Sequence, residues 1–104
     1  MDAQDLCEGL ELTGYPVAYR QFKSAQGPPF VVYLFLDDED FKADNRNYLP
    51  ISNYHVELYT KNKDPAAESA VETQLEALGL TWAKSETFIE TEKTHQVLYQ
   101  VQIM

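Results

Sequence analysis

Apolar residues first recur at helical spacing: Ala3, Leu6, Cys7 and Leu10 stand at i, i+3, i+4 and i+7. Asp2 is placed to cap the start, Gly14 suits the C′ position and Pro16 blocks continuation, so the pattern predicts a helix over residues 2–12. Gly9 inside it costs about 1 kcal/mol relative to Ala. Residues 17–22 (Val-Ala-Tyr-Arg-Gln-Phe) read as a strand, and the segment 24–29, ending Gly27-Pro28-Pro29, breaks it. Residues 30–36 are apolar on both faces, which predicts a central strand covered on each side, or on one side by another subunit. Polar residues then fill 37–48, a long hairpin connection. The chain returns as a strand over 49–61, with Tyr54, Val56 and Leu58 pointing one way and His55, Glu57 and Tyr59 the other.

Asp64-Pro65 sets a helix start, with Asp as N-cap and Pro at the first position, where its missing N–H costs nothing. Ala67, Ala70, Val71, Leu75 and Leu78 make the buried stripe, Glu68, Glu72 and Glu76 a wetter flank, and Gly79 the C′ residue. Residues 81–90 and 94–103 form two strands joined by a tight turn near Glu92-Lys93. In the second, Val97, Tyr99, Val101 and Ile103 alternate with Gln96, Leu98, Gln100 and Gln102. The order is α-β-β-β-α-β-β. It predicts an α+β fold: a mainly antiparallel sheet with both helices on one face, in one domain spanning 1–104.

Charge narrows the function. Eight Lys and Arg stand against seventeen Asp and Glu, a net charge of −9. That excludes the basic footprint of a nucleic-acid binder and disfavours an anionic membrane surface, though not a channel that DNA slides through without sticking. Cys7 is the single cysteine, so no intrachain disulfide forms. No apolar run reaches the ~20 residues of a membrane span. The acidic N-terminus has the wrong charge for a signal peptide, and the expectation is synthesis in the cytoplasm.

Candidate chemistry is thin. Cys7, His55 and His95 supply a nucleophile and bases, but Cys7 lies on an apolar stripe where small thiols are inert, and the histidines lack ligand spacing. Asp37-Asp38-Glu39-Asp40 with Asp44 invites calcium, yet Lys42 occupies a ligand position and no Gly supplies the sharp turn. No phosphate-cradling motif is present. The reading is of no catalytic residue, no metal and no cofactor: a binding protein, not an enzyme. Several of Trp82, Tyr33, Phe35 and Tyr59 are expected on the face opposite the helices. There they make an interface or are covered by loops of the same chain.

Four stretches are similar to a family of small prophage and siphophage proteins of Gram-positive bacteria, found among head-tail joining and tail genes. They are Leu12-Thr13-Gly14-Tyr15-Pro16-Val17-Ala18-Tyr19; Phe41-Lys42-Ala43-Asp44-Asn45-Arg46-Asn47-Tyr48; Asn53-Tyr54-His55-Val56-Glu57-Leu58-Tyr59-Thr60-Lys61-Asn62-Lys63-Asp64-Pro65; and Lys84-Ser85-Glu86-Thr87-Phe88-Ile89-Glu90. The element order resembles that of phage tail terminators. The resemblance implies a structural, homo-oligomeric protein, a tail terminator or tail-completion protein that self-associates into a ring, a hexamer. Such a ring caps the tail tube at the head-tail junction of the virion and is assembled in the bacterial host cytoplasm. Its implied partners are the tail tube protein and the head-tail connector, with no sequence-specific nucleic acid, no membrane and no small-molecule substrate. The alternatives are a head-tail connector or minor tail component and, from another class, a small host ligand-binding or regulatory α+β domain. Asp38, Asp40, Phe41, Tyr48 and Tyr59 are the residues expected at the subunit interface.

Overall fold

A computed structural model describes the backbone of residues 1–38, 41–43, 46–49 and 51–104, and the side chains of 1–38 and 51–104. The first helix, α1, runs Ala3–Glu11 behind a capping box in which Asp2 and Asp5 satisfy each other's backbone N–H groups. Its buried residues are Leu6, Gly9 and Leu10. Gly9 has a packing reason: an added Cβ would stand 2.7 Å from Leu78 Cδ1, so the bare backbone lets α1 approach the end of the second helix.

Strand β1 covers only Val17–Tyr19 and pairs parallel to β2, Phe30–Asp38. The predicted strand to 22 is cut short at Arg20, which takes a positive φ of 69° while Gln21 N–H donates to the Tyr19 carbonyl. This γ-turn swings the chain off the sheet edge. β3 (Phe41–Ala43) and β4 (Arg46–Leu49) form a separate two-stranded ribbon in place of the plain predicted 37–48 connection, and β4 takes Leu49 from the start of the predicted 49–61 strand. β5 (Ser52–Thr60), β6 (Trp82–Ile89) and β7 (Thr94–Ile103) complete a five-stranded sheet of order β1-β2-β5-β7-β6. All its pairs except β1–β2 are antiparallel. The α+β class and the predicted order of helices and main strands hold.

The second helix, α2, is Pro65–Ala77, capped by Asp64, which accepts from Ala67 N–H at 3.1 Å. Gly79 ends it with a φ of 78°, and Leu80 N–H reaches the Leu75 carbonyl at 3.0 Å, closing the left-handed cap read from the sequence. Both helices pack on one face. There Leu6, Leu10, Ala67, Val71 and Leu75 meet Val31, Val56, Leu58, Val97, Tyr99, Val101 and Ile103 in one buried cluster.

Register assigns every other side chain to a face. Val31 lies beside Leu58 and Leu58 beside Val97, so the alternation in β5 and β7 faces the helices as predicted. The aromatics are a correction. Tyr33 pairs with Val56, Phe35 with Tyr54 and Trp82 with Val101, all on the helix-covered face, and of the four named only Tyr59 lies opposite. A segment apolar on both sides conceals its own parity, and only the cross-strand partner reveals it.

Candidate functional site

On the helix-covered face, α2 and β6 bring charges together. Glu68 is 4% exposed, not on the wetter flank the helix pattern predicts. Lys63 Nζ stands 2.8 Å from its Oε2 and Lys84 Nζ 2.6 Å from its Oε1, and each lysine reaches a second carboxylate, Glu86 and Glu72 respectively, at 2.8 Å. Tyr99, wholly buried, donates its hydroxyl to Glu72 at 2.8 Å. His95 Nε2 lies 2.9 Å from Glu86. Burial works to raise the Glu68 carboxyl, but hydrogen bonds from Lys63 and Lys84 outweigh it and hold the group below its ordinary 4.5. Burial, then the Glu72 contact, pushes the Tyr99 phenol upward. Glu68, Glu86 and His95 are close enough to ligate one ion, yet the Lys63 ammonium already stands between the two carboxylates. The network is a device that lets α2 lie against β6.

The other face carries Val32 and Leu34, Asn53 to Tyr59 on alternate positions, Gln96, Leu98, Gln100 and Gln102, and the β6 row Ala83, Ser85, Thr87 and Ile89. At one end the 20–29 connection folds over it: Phe22 packs edge-on to Phe30, and Phe30 stacks on Tyr59 at 4.9 Å between centroids. Val32 is buried there for that reason. Tyr59 is engaged further, donating to Glu57 at 2.8 Å and accepting from Gln96 at 2.9 Å, and burial with the Glu57 contact pushes its phenol to about 12. Farther along, a shallow cleft of about 560 Å³ is lined by Leu36, Asn53, His55, Ala83, Gln100 and Gln102 among others.

The β2 edge differs from both. A bulge at Leu36 shifts the register between Phe35 and Asp37. Tyr19, Phe35 and Leu36 are 48%, 41% and 44% exposed at this edge, held together by the Phe35 N–H donating to the Tyr19 hydroxyl at 3.2 Å. Beyond the bulge Asp37 accepts from Asn53 at 2.7 Å and Asp38 from Ser52 at 2.8 Å, on opposite faces of the ladder, so the two acids diverge. The β3–β4 ribbon then prolongs the β2–β5 hairpin. The molecule measures 49 Å along its longest axis, against ~34 Å for a ten-residue strand such as β7.

Of the five predicted interface residues, Asp38 stands at the root of this arm. Phe41 and Tyr48 lie in its ribbon, and Asp40 lies outside the described residues, as do Glu39 and Asp44 of the acidic run. Tyr59 does not join them. It pairs with Phe30 whereas Asp38 pairs with Ser52, which separates the two by roughly 27 Å along β2. Cys7 on α1 and His55 on the helix-free face lie on opposite sides of the sheet, and His95 is engaged with Glu86. The sequence reading named Phe35 but missed Tyr19 and Leu36 beside it, because a parallel pairing across the 20–29 connection has no local signature. Among the described residues no helix is long and apolar enough to cross a membrane. No protein-family model matches the chain, and no curated protein is similar to it.

Proposed function

We propose that the chain is a ring-forming structural subunit of a phage tail, a tail terminator or tail-completion protein at the head-proximal end of the tail tube. The observation that carries the reading is the arm: the β2–β5 hairpin continues as the β3–β4 ribbon, with Tyr19, Phe35 and Leu36 exposed at its root. A lone two-stranded ribbon has too little core to be stable by itself in water, and a neighbour that receives it supplies the missing surface. When each arm lies on the next subunit the contact is head-to-tail, and such contacts close into rings when the rotation allows. The stretches resembling the phage family include this arm, 41–48, and the strand that returns from it, 53–65. A net charge of −9 suits a ring through which DNA passes without sticking.

The test is the native mass of the purified chain over a wide concentration range, alone and with isolated tail tubes. It is set beside a variant in which residues 39–51 are replaced by Asn-Gly, closing the hairpin between the paired Asp38 and Ser52. The expected result is a six-chain species, alone or on the tube, that the shortened variant cannot form although it folds. Rings that persist without the arm, or none under either condition, sink the reading.

A further inference from the structure

The edge of the sheet opposite β1 is β6, which pairs with β7 alone among the described residues. Such edges are ordinarily guarded by a proline, a bulge or charged side chains, since the outward N–H and C=O groups template another strand. β6 has neither proline nor bulge, and its charges are paired within the chain. Its register with β7 runs from Trp82 to Ile89 without a shift, and it contains no proline. Its two charges, Lys84 and Glu86, both point to the helix-covered face and are held by Glu68, Glu72, Lys63 and His95. The opposite row, Ala83, Ser85, Thr87 and Ile89, is uncharged. Phe88, at the end of the helix-side row, is 45% exposed.

The order of residues in this edge is self-complementary. Reading outward from Ser85, the neighbours are Lys84 and Glu86, then Ala83 and Thr87, then Trp82 and Phe88. An antiparallel copy laid against the edge with Ser85 on the two-fold axis therefore sets Lys84 opposite Glu86, Ala83 opposite Thr87, and Trp82 opposite Phe88. Each pair occurs twice, as a two-fold interface requires. Opposite charges and aromatic pairs directly across a ladder both stabilise it. The pairing keeps parity, so the helix layers of both copies stay on the same side and Phe88 gains an aromatic cover. The match also answers what the edge receives. A chain of net charge −9 repels its own copy, and this is an edge where cation meets anion in both directions.

We infer that β6 is a self-pairing seam, at which a second copy of this chain adds antiparallel about Ser85 to make a continuous ten-stranded sheet. The seam does not rest on the ring reading. It uses none of the arm's residues, so either contact can fail without the other.

Cysteine cross-linking tests it. Residues directly opposite in an antiparallel ladder have Cα atoms roughly 4.5–5.5 Å apart, within the reach of a disulfide. In a Cys7→Ser background, Ser85→Cys is expected to form a disulfide-linked dimer under mild oxidation at least about tenfold faster than Glu76→Cys on the exposed side of α2, because pairing holds the thiols at a high effective concentration. Ala83→Cys mixed with Thr87→Cys should give the mixed dimer in preference to either self-linked one. Ser85→Cys linking no faster than Glu76→Cys overturns the seam, and preferential self-linking of Ala83→Cys or of Thr87→Cys overturns the register.

Discussion

The two faces of the sheet are made by alternate residues of the same strands, and they do opposite work. On the helix-covered face Val56, Leu58, Val97, Tyr99 and Val101 are buried under α1 and α2. On the other face Leu34, Glu57, Tyr59, Gln96 and Leu98 are only half-buried and Gln100 is exposed. Charge separates the faces as sharply as burial. The network of Lys63, Glu68, Glu72, Lys84 and Glu86 belongs to the helix side. Among the described sheet residues, the open face carries only Glu57 and, past the bulge, Asp37. One face keeps the fold together and the other buries far less, so substitutions of the same kind should cost very different amounts.

The largest expected contrast is between two leucines. Leu58 on β5 is fully buried, and Leu58→Ala should cost about 3 kcal/mol through lost transfer energy and a residual cavity. Leu98 neighbours Glu57 and Ser85 on the open face, and Leu98→Ala should cost about 1 kcal/mol or less, since water can enter where the side chain was. Urea unfolding of both variants checks this. Equal costs would mean that the open face is covered in the isolated protein. Gly9→Val comes next, at about 2 kcal/mol, because the new side chain must displace Leu78 where α1 meets α2. A thermal midpoint unchanged by that substitution would show the two helices to be less closely packed than the geometry requires.

Legibility followed locality. The alternation over 94–103 matched β7 to the residue, and Asp64-Pro65 with Gly79 framed α2, because these signals lie within one element. Glu68 was misplaced because one of the two lysines that pair with it under α2, Lys84, stands sixteen positions away on β6, where no pattern within the helix announces it. β1 was read three residues too long because the γ-turn at Arg20 has no glycine to announce it. The proposed interface suffered similarly. Asp38, Phe41 and Tyr48 share the arm, whereas Tyr59 is spent on Phe30, Glu57 and Gln96. Tyr59→Arg should therefore lower stability as well as any assembly, and Asp38→Lys is the cleaner probe of the arm.

The charge network supplies a smaller, pH-dependent test of the covered face. Glu68→Ala should cost about 1–2 kcal/mol, below the value for a fully buried pair, because Lys63 and Lys84 are partly exposed and can turn to water. Glu68→Met, which leaves no unpaired carboxylate and fills the same space, should cost less. The sign of the pH dependence follows from the shifts. Glu68 and Glu86 are held below their ordinary 4.5, so their contribution is complete above that value and is lost as pH falls through the lowered one. Lys63 and Lys84 are raised above 10.5, so theirs is complete below that value and is lost as pH rises through the raised one. Stability attributable to the network should form a plateau between. Wild type minus Glu68→Met, followed by urea unfolding from pH 3 to 7, should shrink on the acid side (a window of ~4 units around the carboxylate range). A constant difference would mean that the carboxylate is not what holds α2 to β6.

The smallest expected effect is on the open face. Gln100 lies between His55 and Ala83, and its side chain reaches solvent in the cleft. Gln100→Thr exchanges one strand-compatible polar side chain for another with slightly better β-propensity, so the change should stay within about 0.5 kcal/mol. The informative variable is protein concentration. If the face is open in the isolated chain, the small change is the same at every concentration. If a partner copy covers it, stability itself rises with concentration by mass action, and the cost of Gln100→Thr rises with it. A concentration-dependent cost would move Gln100 and its neighbours from the solvated face to an interface, and the contrast between the two faces would become one between two kinds of burial.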